Sequence, residues 1–282
     1  MAASVIITKA SGEKVPFSQN KLERSLKRAG ASKPVINTVI EKIKAKLFAG
    51  ITTKEIYHIA FEILKHNESP TAAKYKLKRA IMELGPSGFP FEKFVAEILK
   101  SQGYTTRIGV IETGQCISHE IDIIAKKNGR QYMVECKYHN QKGFMNDVKI
   151  PLYIQSRFKD VEKTSSNSTD GNIRFHQAWI ITNTRFTTDA IKYSQCIGLQ
   201  LTGWDYPANN GLREQIDQLK LYPVTCLTSL TQLEKSKLLE LGLILVKDLC
   251  TSSSVLSKIG ISVNRIKKIL AESNEICAEG LS

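Results

Sequence analysis

The stretch from His119 to Tyr138, HEIDIIAKKNGRQYMVECKY, decides how this chain is read. His119 to Ala125 reads as a strand, Lys126 to Arg130 as a tight hairpin carrying an Asn-Gly turn signal, and Gln131 to Tyr138 as the returning strand. Side chains alternate across a strand, so Glu135 and Lys137 share a face while Cys136 points away, and Glu120 shares a face with Asp122. Two adjacent strands therefore present Asp122, Glu135 and Lys137 together. A charged pair flanking a half-buried hairpin is the bland alternative. Unpaired charge inside an apolar hairpin is costly, however, and that favours a functional trio.

The residue types suit one chemistry. Magnesium, or manganese in its place, is a hard cation held by one or two carboxylates together with water and substrate phosphate, a role that fits Asp122 and Glu135. Such an ion lowers the pKa of its bound water and neutralises charge building on phosphorus. Lys137 is placed to orient the attacking water or to stabilise the developing negative charge. These are the requirements of metal-assisted phosphodiester cleavage.

From about Phe89 to Tyr206 the sequence resembles the Mrr-like branch of the PD-(D/E)XK nucleases, the catalytic domain of some restriction endonucleases. The matching text runs in order: Phe91 to Leu99 (FEKFVAEIL), Gly103-Tyr104, Glu120 to Ala125, Val134 to Lys137, Trp179 to Asn183, Phe186 to Ala190, and Ile197 to Leu201. The resemblance implies an α/β/α mixed sheet, with Asp122 and Glu135 as metal ligands and Lys137 as the catalytic lysine. It also implies that Glu92, on the helix opening the domain, faces the active site. Many members carry Gln where Glu135 stands, and Glu restores the more general nuclease pattern. The family's Gly-rich approach to the aspartate is replaced by Ser118-His119-Glu120-Ile121, which leaves a role at the metal open for His119 and Glu120. For His119 and His139, a hydrogen-bonded structural role is the ordinary reading.

With 282 residues the chain exceeds the usual single domain. Its net charge is +13, with most of the excess before Pro86, a balance consistent with phosphate-bearing partners and equally with solvated lysine-rich helices. Six cysteines are scattered without a CxxC pair, which argues against structural zinc and against a disulfide framework. Neither a signal peptide nor a run of about 20 apolar residues is visible, so the expectation is a soluble, cytoplasmic protein.

Ahead of the nuclease-like region, Val5-Ile6-Ile7 and Val15-Pro16-Phe17 flank a turn at Ser11-Gly12. Helices are predicted over Asn20–Ala29 behind Ser18, over Pro34–Phe48, from a Thr52 or Thr53 cap through Leu64, and over Pro70–Leu84. Lys74, Lys76, Lys78 and Arg79 on the last helix are spread around it, which reads in part as plain solvation. This region resembles the ATP-cone, a small nucleotide-binding regulatory domain. The resemblance rests on Val5 to Lys9, Gly12, Val15-Pro16-Phe17, Asn20-Lys21-Leu22 and Thr52 to Ile56. It implies that Lys9 and Lys21 contact ATP or dATP, where charge-assisted bonds answer the phosphates. The usual Lys-Arg pair is here Lys9-Ala10, so one basic contact is missing. No GxxxxGK[ST] loop is present, so the cone would sense nucleotide and not hydrolyse it.

Gly85 to Pro90 forms a punctuated junction. Past the hairpin a helix is predicted over Asp147–Asp160, a polar loop over Thr164–Gly171, and a helix over Ala190–Gly198 capped by Thr187. The tail has apolar-Gly-apolar breaks at Leu241-Gly242-Leu243 and Ile259-Gly260-Ile261, and it looks like a helix-hairpin-helix module able to bring backbone N–H groups to a phosphate.

The reading is a multi-domain α/β protein: a mostly helical ATP-cone over 1–86, a central α/β/α restriction-endonuclease-like nuclease over 87–207, and a small helical domain over 208–282. Its activity would be Mg²⁺- or Mn²⁺-dependent hydrolysis of DNA, regulated by an adenine nucleotide. One active site per chain favours a homodimer for double-strand cutting. Two other readings stay open: a nucleotide-responsive DNA-binding regulator without catalysis, and a structure-selective repair nuclease.

Overall fold

The computed structural model describes residues 5–9, 11–141, 143–165, 175–251 and 253–278. Ala10 and residues 166–171 of the predicted polar loop lie outside that set. The chain divides into two compact units, one formed by residues 1–81 together with 222–282, the other by residues 82–221.

In the first unit, β1 (Ile6–Thr8) and β2 (Lys14–Pro16) make an antiparallel pair, followed by α1 (Gln19–Arg28), α2 (Lys33–Lys46) and α3 (Thr53–Asn67). Ser18 caps α1. Thr52 and Glu55 close a reciprocal capping box on α3, which satisfies two of the backbone N–H groups a helix start leaves unpaired. Leu26, Val39, Ile43, Ala60 and Leu64 form the centre of this core, with Val39 and Ile43, and Ala60 and Leu64, about one helical turn apart.

The predicted helix over 70–84 is broken in two, α4 (Ser69–Tyr75) and α5 (Leu77–Met82), with the break at Lys76. Lys76 is buried and donates through Nζ to the Thr225 carbonyl at 3.0 Å, while Thr225 Oγ1 donates to the Ala80 carbonyl at 2.7 Å. Lys74 lies over the Tyr222 ring at 5.8 Å. These cations serve contacts within the unit, so the solvation reading fails for Lys76 and Lys74. Within this unit the tail is therefore fastened to the cone-like region.

The second unit opens with α6 (Phe89–Ser101) and continues through β3 (Thr105–Thr113), β4 (Ser118–Lys127), β5 (Arg130–Lys137), β6 (Met145–Asn146), α7 (Lys149–Ser165), β7 (Phe175–Thr182), β8 (Arg185–Phe186), α8 (Thr188–Ile197), β9 (Gln200–Thr202) and α9 (Leu212–Leu219). Five strands form a mixed sheet in the order β3-β4-β5-β7-β9, antiparallel through β5 and parallel beyond it. The β4–β5 turn places Asn128 and Gly129 at φ 51° and 73°, the two left-handed residues of a hairpin turn whose twist matches its strands. Helix α7 runs past the predicted Asp160 boundary because Thr164 caps onto the Thr113 and Val161 carbonyls. Ile124 and Met133 of the sheet share a core with Ile154 and Phe158 of α7 and Ala190 of α8. Helix α6 packs across β3, β4 and β5, and α9 packs against α6.

The C-terminal segment adds α10 (Gln232–Glu240), α11 (Val246–Thr251), α12 (Ser254–Lys258) and α13 (Val263–Ala278) to the first unit. Glu272 is buried, and its carboxylate accepts from the backbone and hydroxyls of Thr228 and Ser229. Arg265 pairs in fork geometry with Glu234. No described helix is long and apolar enough to cross a membrane.

Candidate active site

The register that sets Ile123 opposite Val134 brings Asp122 beside Glu135 across the β4–β5 ladder. Asp122 Oδ2 accepts the Cys136 backbone N–H at 2.7 Å, so the returning strand itself orients the aspartate. Two residues on from Glu135, Lys137 donates to Glu135 Oε1 at 2.8 Å, the same-face contact that strand alternation predicts. The other Glu135 oxygen accepts from Arg157 Nη1 at 2.7 Å, and Arg157 also donates to the Glu120 carbonyl. Glu92 stands on the first turn of α6, close enough to feel the charges of Asp122, Glu120 and Glu135.

The electrostatics separate these groups. Burial, together with the neighbouring Asp122, Glu120 and Glu135, pushes the Glu92 carboxyl up to about 7. Asp122 is raised to about 6, first by burial and then by the Glu135 charge, against the Cys136 N–H and the Lys137 and Arg157 cations. Carboxyls raised by burial and by one another's charge are stabilised in their ionised form by added positive charge, which a divalent cation supplies. The donor set is hard oxygen throughout, as Mg²⁺ and Mn²⁺ require. Among the described residues no three His, Cys, Asp or Glu side chains converge into a ready-made cage. The Asp122–Glu135 pair would therefore supply one or two ligands and leave the rest to water and phosphate.

Asp122, Glu135, Lys137 and Glu92 thus sit within one neighbourhood. Arg157 is the member that sequence reasoning missed: it lies 22 residues beyond Glu135, on α7, and nothing in the local pattern marks it. Its signal is tertiary, because α7 packs against the sheet and aims one arginine at the site.

The histidines have other work. His119 is buried, with Nε2 at 2.8 Å from Asp160 Oδ2, and the same carboxylate accepts the Cys116 and Ile117 N–H groups. His139 exchanges backbone–side-chain bonds with Asn183, and its Nε2 meets Asn146 Oδ1 at 3.0 Å. Asn146 is fully buried and donates to Thr182, Thr184 and the Arg185 carbonyl, while Thr182 Oγ1 donates to the Lys137 carbonyl. This polar network anchors the end of the strand that carries Lys137. Glu120 contributes its carbonyl to Arg157.

The remaining candidates lie in the first unit. Lys9 follows β1 with its ammonium 2.8 Å from Glu13, and Lys21 is exposed in the first turn of α1. A phosphate reaching Lys9 would compete with the Glu13 carboxylate.

Family models match the chain in succession: the ATP cone domain over residues 5–83, a restriction endonuclease domain over 85–205, and the AF1548-like C-terminal domain over 222–277. An uncharacterised protein of Archaeoglobus fulgidus is 36% identical over 186 residues, 64% of this chain and 99% of that protein. The crystal structure of the protein of unknown function AF1548 is similar with a TM-score of 0.57 at 34% identity, over 68% of this chain and 100% of that one.

Proposed function

Because the chain belongs to the family of this Archaeoglobus fulgidus protein, and carries an ATP-cone domain and a restriction-endonuclease domain, we propose that it is a metal-dependent DNA endonuclease regulated by an adenine nucleotide. The observation that carries the reading is the convergence of Asp122, Glu135 and Lys137 on one hairpin, with the Asp122 and Glu92 carboxyls both raised.

Asp122 and Glu135 would hold Mg²⁺ or Mn²⁺, which when bound activates water and neutralises charge on the scissile phosphate. Lys137 sets its ammonium beside Glu135 and stabilises the negative charge that grows on the phosphoryl oxygens. Glu92, with a carboxyl near 7, is suited to take up a proton released during attack. Arg157 holds the second Glu135 oxygen and so ties the carboxylate to α7; it acts as a positioning residue. Lys9 and Lys21 would meet the phosphates of ATP or dATP, and nucleotide alters cleavage to the extent that it binds two conformations with different affinity. Gly242 and Gly260, at φ 78° and 87°, turn the α10–α11 and α12–α13 helix pairs, and these two turns are the surface offered to the DNA backbone in the helix-hairpin-helix reading. A homodimer would supply the two sites that double-strand cutting needs.

The test is cleavage of supercoiled and linear DNA by the purified protein with Mg²⁺ or Mn²⁺, with and without ATP, beside Asp122→Ala and Lys137→Ala. Metal-dependent nicking lost in both variants, and changed by ATP, supports the whole reading. One observation favours a second reading: both Glu135 oxygens are already met by cations, Lys137 and Arg157. DNA binding without cleavage in all three proteins would return the protein to a nucleotide-responsive DNA-binding regulator.

A further inference from the structure

The C-terminal module contains a juxtaposition that the nuclease reading does not use. Cys250, in the last turn of α11, and Cys277, in the last turn of α13, bring their Sγ atoms to 3.8 Å. Both are free thiols; Cys250 is exposed and Cys277 half-buried. Helices α11 and α13 pack along one another, so the pair is held by the fold and is not a chance meeting of two loops. Around them, Leu249 and Ile276 are buried, and Arg265 and Glu272 of α13 are tied to Glu234 and to Thr228-Ser229. The framework on both sides of the thiols is thus fixed by packing and hydrogen bonds.

We propose that Cys250 and Cys277 form a redox-closed staple, a vicinal dithiol that a small-molecule disulfide oxidises to an intramolecular Cys250–Cys277 bond joining α11 to α13. Closure takes these sulfurs from van der Waals contact at 3.8 Å to the bonding distance of about 2.05 Å. The exposed Cys250 meets the external disulfide first, because burial and the neighbouring Cys250 sulfur push the Cys277 thiol up to about 11. In the first exchange the Cys250 thiolate attacks one sulfur of oxidised glutathione, the S–S bond breaks, and one glutathione thiol leaves. In the second, Cys277 gives up its proton and attacks the Cys250 sulfur of the mixed disulfide, releasing the second glutathione thiol. Two electrons pass from the protein dithiol to the glutathione disulfide, and both protons end on the two released thiols.

The fold's contribution is measurable as an effective concentration. A flexible chain of this length gives its ends an effective concentration around the millimolar range, whereas a pre-aligned pair exceeds it. By linkage, the factor by which folding favours the closed bond equals the factor by which the bond favours folding. The full-length protein is equilibrated in glutathione buffers of graded oxidised-to-reduced ratio, then acid-quenched, alkylated and mapped by mass spectrometry. The same titration is run on the chain unfolded in urea. Cys116 and Cys196, exposed in the other unit, serve as internal references.

The expected result is closure of Cys250 to Cys277 at an effective concentration at least about 100-fold higher in the folded protein than in urea. The Cys116 and Cys196 thiols should show at most glutathione adducts over the same range. Closure should vanish in Cys250→Ser and in Cys277→Ser, each leaving an adduct on the surviving thiol. A folded-to-unfolded ratio near one or below, an accumulation of adducts on both cysteines without ring closure, or disulfides between two chains would overturn the proposal. The wild-type titration decides the matter even if a serine variant folds poorly.

Discussion

The β4–β5 site and the α-helical clasps of the same molecule use the same side chains to opposite ends. At the site, Asp122 and Glu92 are pushed up to about 6 and about 7, because burial removes water and the nearest neighbours include other carboxylates. Asp160 is drawn down to about 2, first by His119 and then by the backbone N–H groups of the β3–β4 turn. Glu234 is likewise held at about 2 by Arg265. Asp160 and Glu234, with cationic or N–H partners in place, act as structural clips, whereas the raised Asp122 and Glu92 carboxyls invite an ion or a proton. That contrast, more than the presence of acidic residues, separates the candidate active site from the rest of the surface.

The largest effect should come from breaking the site itself. Asp122→Ala or Lys137→Ala is expected to lower the DNA cleavage rate by at least about 1,000-fold with the fold intact by circular dichroism. Glu234→Ala, in a satisfied clip, should leave cleavage within about 3-fold of wild type. Equal losses in the two sets would remove the distinction between them.

Next comes the carboxylate of Glu272, which accepts four hydrogen bonds. Glu272→Ala strands the Thr228 and Ser229 donors and is expected to cost about 3 kcal/mol, read as a lower urea midpoint for the unit that holds α13. A loss under about 1 kcal/mol would show that those donors find water instead.

The sign of the pH dependence sharpens the comparison further. Asp122 has a folded-state pKa above its unfolded value near 4, so its contribution to stability is fully present below pH 4 and lost as pH rises through about 6. Asp122→Asn should therefore raise the stability of the metal-free protein at pH 8, by something on the order of 1–2 kcal/mol and read as a higher thermal midpoint, and change little at pH 4. Mn²⁺ affinity of the wild type, followed by electron paramagnetic resonance, should climb between pH 5.5 and 8 as Asp122 and Glu92 ionise. A flat profile would disconnect these carboxyls from the metal.

Asp160 should behave in the opposite sense and with the smallest amplitude. Its pKa is depressed, so its contribution is present above pH 4 and lost as pH falls toward about 2. Asp160→Asn is expected to lower the melting temperature slightly at pH 7, with the difference closing as pH approaches 2.

Much of the site was legible because its determinants are local. Alternation placed Glu135 and Lys137 on one face, and the Asn128-Gly129 turn set the hairpin register that brings Asp122 alongside. The caps at Ser18, Thr52 and Thr187 were visible for the same reason, since a cap reaches only two or three residues along the chain. Strand β3 was not: Gly109, at φ 62°, interrupts a segment of mixed polarity whose strand character comes from pairing with β4.

By itself, then, the amino-acid sequence determined the β4–β5 hairpin, the helical periodicity of the regions around it, and the glycine-marked turns of the tail, because each depends on neighbours within a few residues. Only the tertiary structure decided that Arg157 closes on Glu135, that Asp160 clasps the turn beside His119, that Lys76 is buried against Thr225, and that Cys250 meets Cys277. Those contacts join residues 22 to 149 positions apart, and it is packing between elements that brings such distant side chains together.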